Sequence, residues 1–244
     1  MIYVCEHHDQ VLSLWRERDL RGIALAHVDF HDDMRGLLVD RRRHVAYAIG
    51  KLARGEDPAD AGNFLAHAIT DGRLNRVRWI HDVPGGRAWD MGIVRFERDI
   101  FALPQRVRHA FSGGQEYALR LEELLLDRWQ GVLPGERLSV DWDCFASILL
   151  DASGIPRRVE AFLNGLGDTV PSETYVVYSP EYSHPTLDEF RGLLSELARR
   201  FNQPLEWLST ELEQGRTNPT SVDARLPTGP LPKLILRLRR MGIY

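Results

Sequence analysis

Four short apolar runs recur along the chain, and each ends abruptly in polar residues. Ile2-Tyr3-Val4-Cys5 meets Glu6-His7-His8-Asp9, and Gly22-Ile23-Ala24-Leu25 runs through Ala26-His27-Val28 into Asp29-Phe30-His31-Asp32-Asp33. Leu138-Ser139-Val140 stops at Asp141-Trp142-Asp143, and Thr174-Tyr175-Val176-Val177-Tyr178 stops at Ser179-Pro180-Glu181-Tyr182-Ser183-His184. Such brief, nearly unbroken runs describe strands covered on both faces. Between them the apolar period lengthens to that of helices. Val11, Leu12, Leu14 and Trp15 form one helix, closed before Gly22, and Val159, Phe162 and Leu163 form another behind Pro156. Phe190, Leu193, Leu194, Leu197 and Phe201 form a third, opened by a Thr186-x-x-Glu189 capping box.

The intervening chain is read in the same way. Gly62 to His67 opens a short helix, and Arg76 to Ile80 is a strand. Gly92 to Phe96 is a further strand, paired antiparallel at an edge. Ala118, Leu121, Leu124 and Leu125 give a helix face before the core strand 137–142. Two short helices close the chain, one near Trp207 and one over Leu234 to Met241. Arg41-Arg42-Arg43 and Gly55-Glu56-Asp57-Pro58 mark a polar excursion that either roofs a site or lies on the surface. Strand, helix, strand within about thirty residues is a βαβ unit. The expectation is therefore an α/β fold with a mainly parallel sheet, formed by residues 1–244 as one domain.

Composition narrows the function classes. The 244 residues are 43% hydrophobic and 27% charged with a net charge of −4, which argues against sequence-independent nucleic-acid binding. No apolar run has membrane-spanning length and the start lacks a signal-peptide pattern, so a cytoplasmic location with no membrane partner is expected. Cys5 and Cys144 are two cysteines without a disulfide framework and are expected as buried free thiols.

The polar ends carry the chemistry. Asp29, His31 and Asp33 are spaced two apart, so an extended chain points all three to one side. In a straight strand Asp29 and Asp33 would lie about 13 Å apart, so the chain must turn after His31 if they share a site. Asp141 and Asp143 offer a second acidic pair. Solvated acids at strand ends would explain either pair alone. Four carboxylates facing imidazoles instead call for divalent cations, because like charges held together repel. The oxygen-rich set suits Mn2+ ahead of Zn2+ or Fe2+.

Asp29-x-His31-x-Asp33 and Ser139-x-Asp141-x-Asp143 resemble the two ligand motifs of the arginase–deacetylase (ureohydrolase) superfamily. The opening Val4-Cys5-Glu6-His7-His8-Asp9-Gln10, with the His27-x-Asp29 run, resembles one branch more closely. That branch contains the peptide arginases, which form ornithine from arginine in ribosomally made peptides. The resemblance implies a three-layer α/β/α arginase-like fold and two Mn2+ ions bridged by Asp29 and Asp141. It places His8 and Asp33 on one ion and His31 and Asp143 on the other. His7 is the alternative to His8, and His27 is read as a supporting or core histidine. A metal-bridging hydroxide would attack the guanidinium carbon, Asp33 would hydrogen-bond that nucleophile, and Glu181 would hold the guanidinium. Gly62-Asn63-Phe64-Leu65-Ala66-His67 resembles the segment carrying the arginase proton-shuttle histidine, displaced by two residues, which makes His67 the candidate and His184 its rival. The partner implied is an arginine-containing precursor peptide.

Departures bear on the substrate. Glu6-His7-His8 replaces Gly-Gly-Asp-His, and Met34-Arg35-Gly36-Leu37 stands where enzymes of free arginine carry polar residues for the amino acid's α-groups. Both features favour a guanidinium on a larger molecule. Another amidohydrolase, or a binding module whose loops are ordered by metal, is compatible with the same ligands.

Overall fold

The computed structural model describes residues 1–34, 57, 59–84, 86, 88–97 and 116–217, with the backbone alone at 89–97 and 116–118. Eight strands form one sheet: β1 (Ile2–Cys5), β2 (Ile23–Val28), β3 (Leu74–His81), β4 (Trp89–Glu97), β5 (Glu116–Leu125), β6 (Arg137–Asp141), β7 (Thr174–Val177) and β8 (Leu205–Trp207). Their spatial order is β4-β5-β3-β2-β6-β7-β1-β8. All neighbouring pairs are parallel except β4 and β5, so β4 is the antiparallel edge strand expected near Gly92.

Helices cover both faces, giving three layers. α1 (His8–Glu17) and α2 (Phe64–Thr70) lie on one face; α3 (Asp143–Ala146), α4 (Ile155–Gly165), α5 (Leu187–Phe201) and α6 (Thr210–Glu213) follow in the chain. Side chains alternate along β1: Tyr3 and Cys5 join Leu12, Trp15 and Phe64 in one core, whereas Ile2 and Val4 join Phe162, Phe190 and Leu197 in the other. Burial on both faces is why these strands read as unbroken apolar runs. Cys5 and Cys144 are free and fully buried, and burial pushes both thiols up. Neither has the lowered pKa of a reactive cysteine.

Two local expectations are corrected. Residues 116–125 form β5, not a helix. Leu119 and Leu121 are both buried while Arg120 between them is exposed, a period of two, and ladders to β3 and β4 hold the segment extended. The Thr186 capping box does not form. Its Oγ1 instead accepts from Trp142 Nε1 at 2.9 Å and donates to the His184 carbonyl at 3.1 Å. The short helix expected near Trp207 is α6 (Thr210–Glu213), with Trp207 itself ending β8. The 41–43 arginines, most of the 55–58 segment and the 234–241 helix lie outside the described residues.

The strands bearing the four polar ends, β2, β6, β7 and β1, are consecutive in the sheet and parallel. Their C-terminal ends therefore open at one edge, where ligands bind in sheets of this kind. Backbone pairing continues past the strand ends and fixes the loops. Trp142 N donates to the Val177 carbonyl (2.8 Å), Tyr178 N to Cys5 (3.1 Å), Ser179 N to Glu6 (3.0 Å) and Asp29 N to Ile80 (3.0 Å).

Candidate metal centre

His8 is the first residue of α1, and its entry is set by Gln10, whose Oε1 accepts from the Glu6 and His7 amides at 2.7 and 3.1 Å. This turn sends the buried His8 ring inward. Its Nδ1 lies 3.0 Å from Asp33 Oδ2, 3.2 Å from Asp141 Oδ2 and 3.6 Å from Asp29 Oδ2. Its Nε2 faces Ser139 Oγ at 3.3 Å, while Phe64 stacks on the ring at 4.5 Å. His31 Nδ1 lies 2.8 Å from Asp143 Oδ2 and 3.8 Å from Asp29 Oδ1.

The turn required after His31 is present. Asp33 has a φ of +49°, a left-handed conformation that aspartate tolerates better than most residues. It folds the chain back so that Asp29 and Asp33 meet the same His8 nitrogen. At the other strand, Asp141 Oδ1 accepts from the Asp143 amide (2.9 Å) and Asp143 Oδ1 from the Phe30 amide (3.2 Å), locking the two motifs together.

Electrostatically the cluster crowds four carboxylates around imidazoles. Asp29, Asp33, Asp141 and Asp143 are all buried, and the nitrogens nearest Oδ2 of Asp29, Asp33 and Asp143 are those of His27 (3.2 Å), His8 (3.0 Å) and His31 (2.8 Å). Burial, then repulsion from Asp33, Asp143 and Asp141, pushes Asp29 well above the usual carboxylate range. Burial and Asp143 raise Asp141 as well. Burial alone would lower His8, but hydrogen bonding to Asp141 and Asp33 prevails and lifts it to about 10; Asp143 likewise lifts His31 to about 9. Protons on these imidazoles thus supply the charge that the carboxylates need. Divalent cations would satisfy the same requirement with donors suited to them. Two groups of ligand atoms lie close enough to hold an ion, His8/His27/Asp29 and Asp29/His31/Asp143, and they share Asp29.

The remaining candidates divide. Glu181, in the turn after β7, points Oε2 at His7 Nδ1 (3.4 Å), so of the paired histidines His8 faces the acids and His7 faces Glu181. His27 is fully buried, its Nε2 3.2 Å from Asp29 Oδ2. His67 is not brought among the acids; its charged neighbours are Arg16, Asp71, Asp57 and Asp60. His184 turns to the Leu150 carbonyl (3.1 Å). The sequence reading missed Ser179, whose hydroxyl donates to Asp141 Oδ2 at 2.6 Å from a backbone with φ of +46°. It also missed Tyr182, whose ring meets the His31 ring edge at 5.6 Å. Both lie in the polar run after β7, which marked the place but not the roles.

Fold and site together define a three-layer α/β protein with a carboxylate–imidazole cluster of metal-binding type at the C-terminal edge of its sheet. No family model matches the chain, and no curated protein matches it at the threshold of significance. Among solved structures it is similar to proclavaminate amidino hydrolase from Streptomyces clavuligerus, with a TM-score of 0.44 and 16% identity over 82% of this chain and 63% of that one. It is also similar to a hypothetical agmatinase from Burkholderia thailandensis, with a TM-score of 0.43 and 18% identity over 82% of this chain and 56% of the other. The chain thus spans less than two thirds of the length of either.

Proposed function

We propose that this chain is a two-metal hydrolase of ureohydrolase type that converts arginine within a peptide to ornithine, releasing urea. The observation that carries the reading is the convergence of His8, Asp29, His31, Asp33, Asp141 and Asp143 at one sheet edge, four buried carboxylates crowded around two imidazoles. In this reading Asp29, Asp141, His8 and Asp33 would hold one Mn2+ ion, and Asp29, Asp141, His31 and Asp143 the other. The sharing of Asp29 by the two groups of potential ligand atoms supports a bridging role for it. Four carboxylates balance two divalent ions, whereas one ion would leave net negative charge in a buried pocket. When bound, such ions would lower the pKa of water and so supply a hydroxide near neutral pH.

The protein's own groups supply the rest. Glu181 would pair with the planar guanidinium, a match of carboxylate and fork geometry. Asp33 would accept a hydrogen bond from the attacking water and pass its proton to the leaving nitrogen. The water oxygen bonds to the guanidinium carbon, the bond from that carbon to the chain nitrogen breaks, and that nitrogen leaves as the ornithine amine. The substrate in this reading is a ribosomally made precursor peptide.

The test is mass spectrometry of an arginine-containing peptide incubated with Mn2+-loaded protein, with Asp141→Ala as control. Loss of the elements of cyanamide at arginine, with urea released and the control silent, is the expected result. A protein that holds two metals yet leaves varied peptides unchanged would point to another guanidino or amide substrate. A protein that takes up no metal would refute the reading at its base.

A further inference from the structure

We propose that Tyr182 is a specificity-determining residue, a rim platform that binds the peptide backbone flanking the substrate arginine. The inference rests on the peptide-hydrolase reading above and concerns the same site.

The site has a depth profile. Asp29 and Asp143 are 1% exposed and Asp33 5%, and the Glu181 side chain is only 6% exposed. Against this, the His31 side chain is 41% exposed and Tyr182 37%, and their rings pack edge to face at 5.6 Å. The acids and the proposed guanidinium clamp are therefore recessed, while a large aromatic ring stands at the surface against a proposed ligand. A long arginine side chain can reach the recessed groups only if its own backbone stays outside, beside that ring.

The rim is also built rather than loose. Ser179 anchors its start through its hydroxyl to Asp141 and its amide to the Glu6 carbonyl. Tyr182 N donates back to the Ser179 carbonyl at 3.0 Å. The segment then pairs with the chain after α3: Ile148 N donates to the Tyr182 carbonyl (2.9 Å), Ser147 and Ser183 form a bridge, and His184 N donates to the Ala146 carbonyl (2.7 Å). Leu149, another exposed apolar side chain, lies on the second of these tied segments. A lone surface aromatic needs no explanation. A ring whose backbone is tied on both sides and which packs on a proposed metal ligand presents contact area at reduced entropic cost, as binding hot spots do. A peptide group and its neighbouring side chains offer such a ring flat and apolar surface; a free amino acid's charged α-groups do not.

The experiment compares two substrates on Mn2+-loaded protein: a nine-residue peptide with a central arginine, and n-butylguanidine, which carries the guanidinium and no peptide group. Tyr182→Ala is expected to raise KM for the peptide about tenfold, the worth of one good aromatic contact, with kcat within about twofold. KM for n-butylguanidine should not move, Tyr182→Phe should behave as the parent protein, and metal content should be unchanged. Equal changes for both substrates, or none, would overturn the inference while leaving the reaction in place. Peptide binding by fluorescence anisotropy gives an independent readout. If no urea forms but Tyr182→Ala still weakens peptide binding, the reaction is wrong and the platform stands; if binding ignores Tyr182, the platform is wrong.

Discussion

Replacing Asp29 by Asn should stabilise the metal-free protein and abolish its response to metal. Asp29 is fully buried, its Oδ2 has no donor among the described residues, and three other carboxylates raise its pKa further after burial itself. An asparagine of the same shape removes that repulsion and brings an amide that can donate to a neighbouring acid. An unsatisfied buried polar group costs about 1–3 kcal/mol, and about 1 kcal/mol moves the melting temperature of a domain this size by roughly 2–4 °C. The metal-free variant should therefore melt several degrees above the parent protein. The parent should gain about 2.7 kcal/mol from an ion at a hundredfold its Kd, a rise of roughly 5–11 °C. Asp29 belongs to both groups of potential ligand atoms, so the variant should lose nearly all of that rise. Thermal unfolding by circular dichroism in EDTA and in excess Mn2+, with metal counted by mass spectrometry, measures both effects. A variant that melts lower without metal and keeps the full manganese shift would refute the electrostatic reasoning.

The metal-free protein should also lose stability between about pH 6.5 and 10. Imidazoles lifted to about 10 at His8 and about 9 at His31 stabilise fully below their ordinary 6.5 and stop doing so as pH climbs through the raised values. Asp29 and Asp141, raised by burial, act in the same direction as they ionise. Added Mn2+ displaces those protons, so its melting shift should be larger at pH 8.5 than at 6.5; a flat profile in calorimetry would contradict this. Glu181→Ala should cut urea release at least tenfold with metal content intact, and full activity in a urea assay would favour a different amide substrate. Gly131→Ala should lower stability by at least about 2 kcal/mol, seen as a lower denaturant midpoint, because Gly131 has a φ of +87° and a Cβ there would meet the Leu166 carbonyl oxygen at 2.3 Å.

What the sequence could convey depended on whether a local pattern matched the force that decides the element. β1, β2, β6 and β7 are covered on both faces, so burial itself wrote the unbroken apolar runs, and the polar residues stopping them marked the open edge. At β5 the ladders to β3 and β4 decide, and no helical spacing of Ala118, Leu121 and Leu124 can report them. Thr186 matched a capping pattern, yet the indole of Trp142, 44 residues away in sequence, claims its hydroxyl. The site follows the same division: two-residue spacing brought out the acids, whereas Ser179 and Tyr182 owe their positions to a turn whose partners come from β1, β6 and the chain after α3.

The left-handed backbone at Asp33 shows how these levels meet. A straight strand would carry Asp33 about 13 Å from Asp29, and nothing in the spacing alone reverses it. The chain accepts a φ that most side chains avoid, and so brings a third carboxylate to an imidazole already facing Asp29 and Asp141. Strain and like-charge crowding both oppose that geometry in the bare protein. Left-handed residues of this kind persist where the surroundings over-determine them, and they gather at functional sites. In the two-metal reading, cations would turn that crowding from a cost into a set of ligands, and the Asp33 turn would be what brings the fourth carboxylate of the cluster to them.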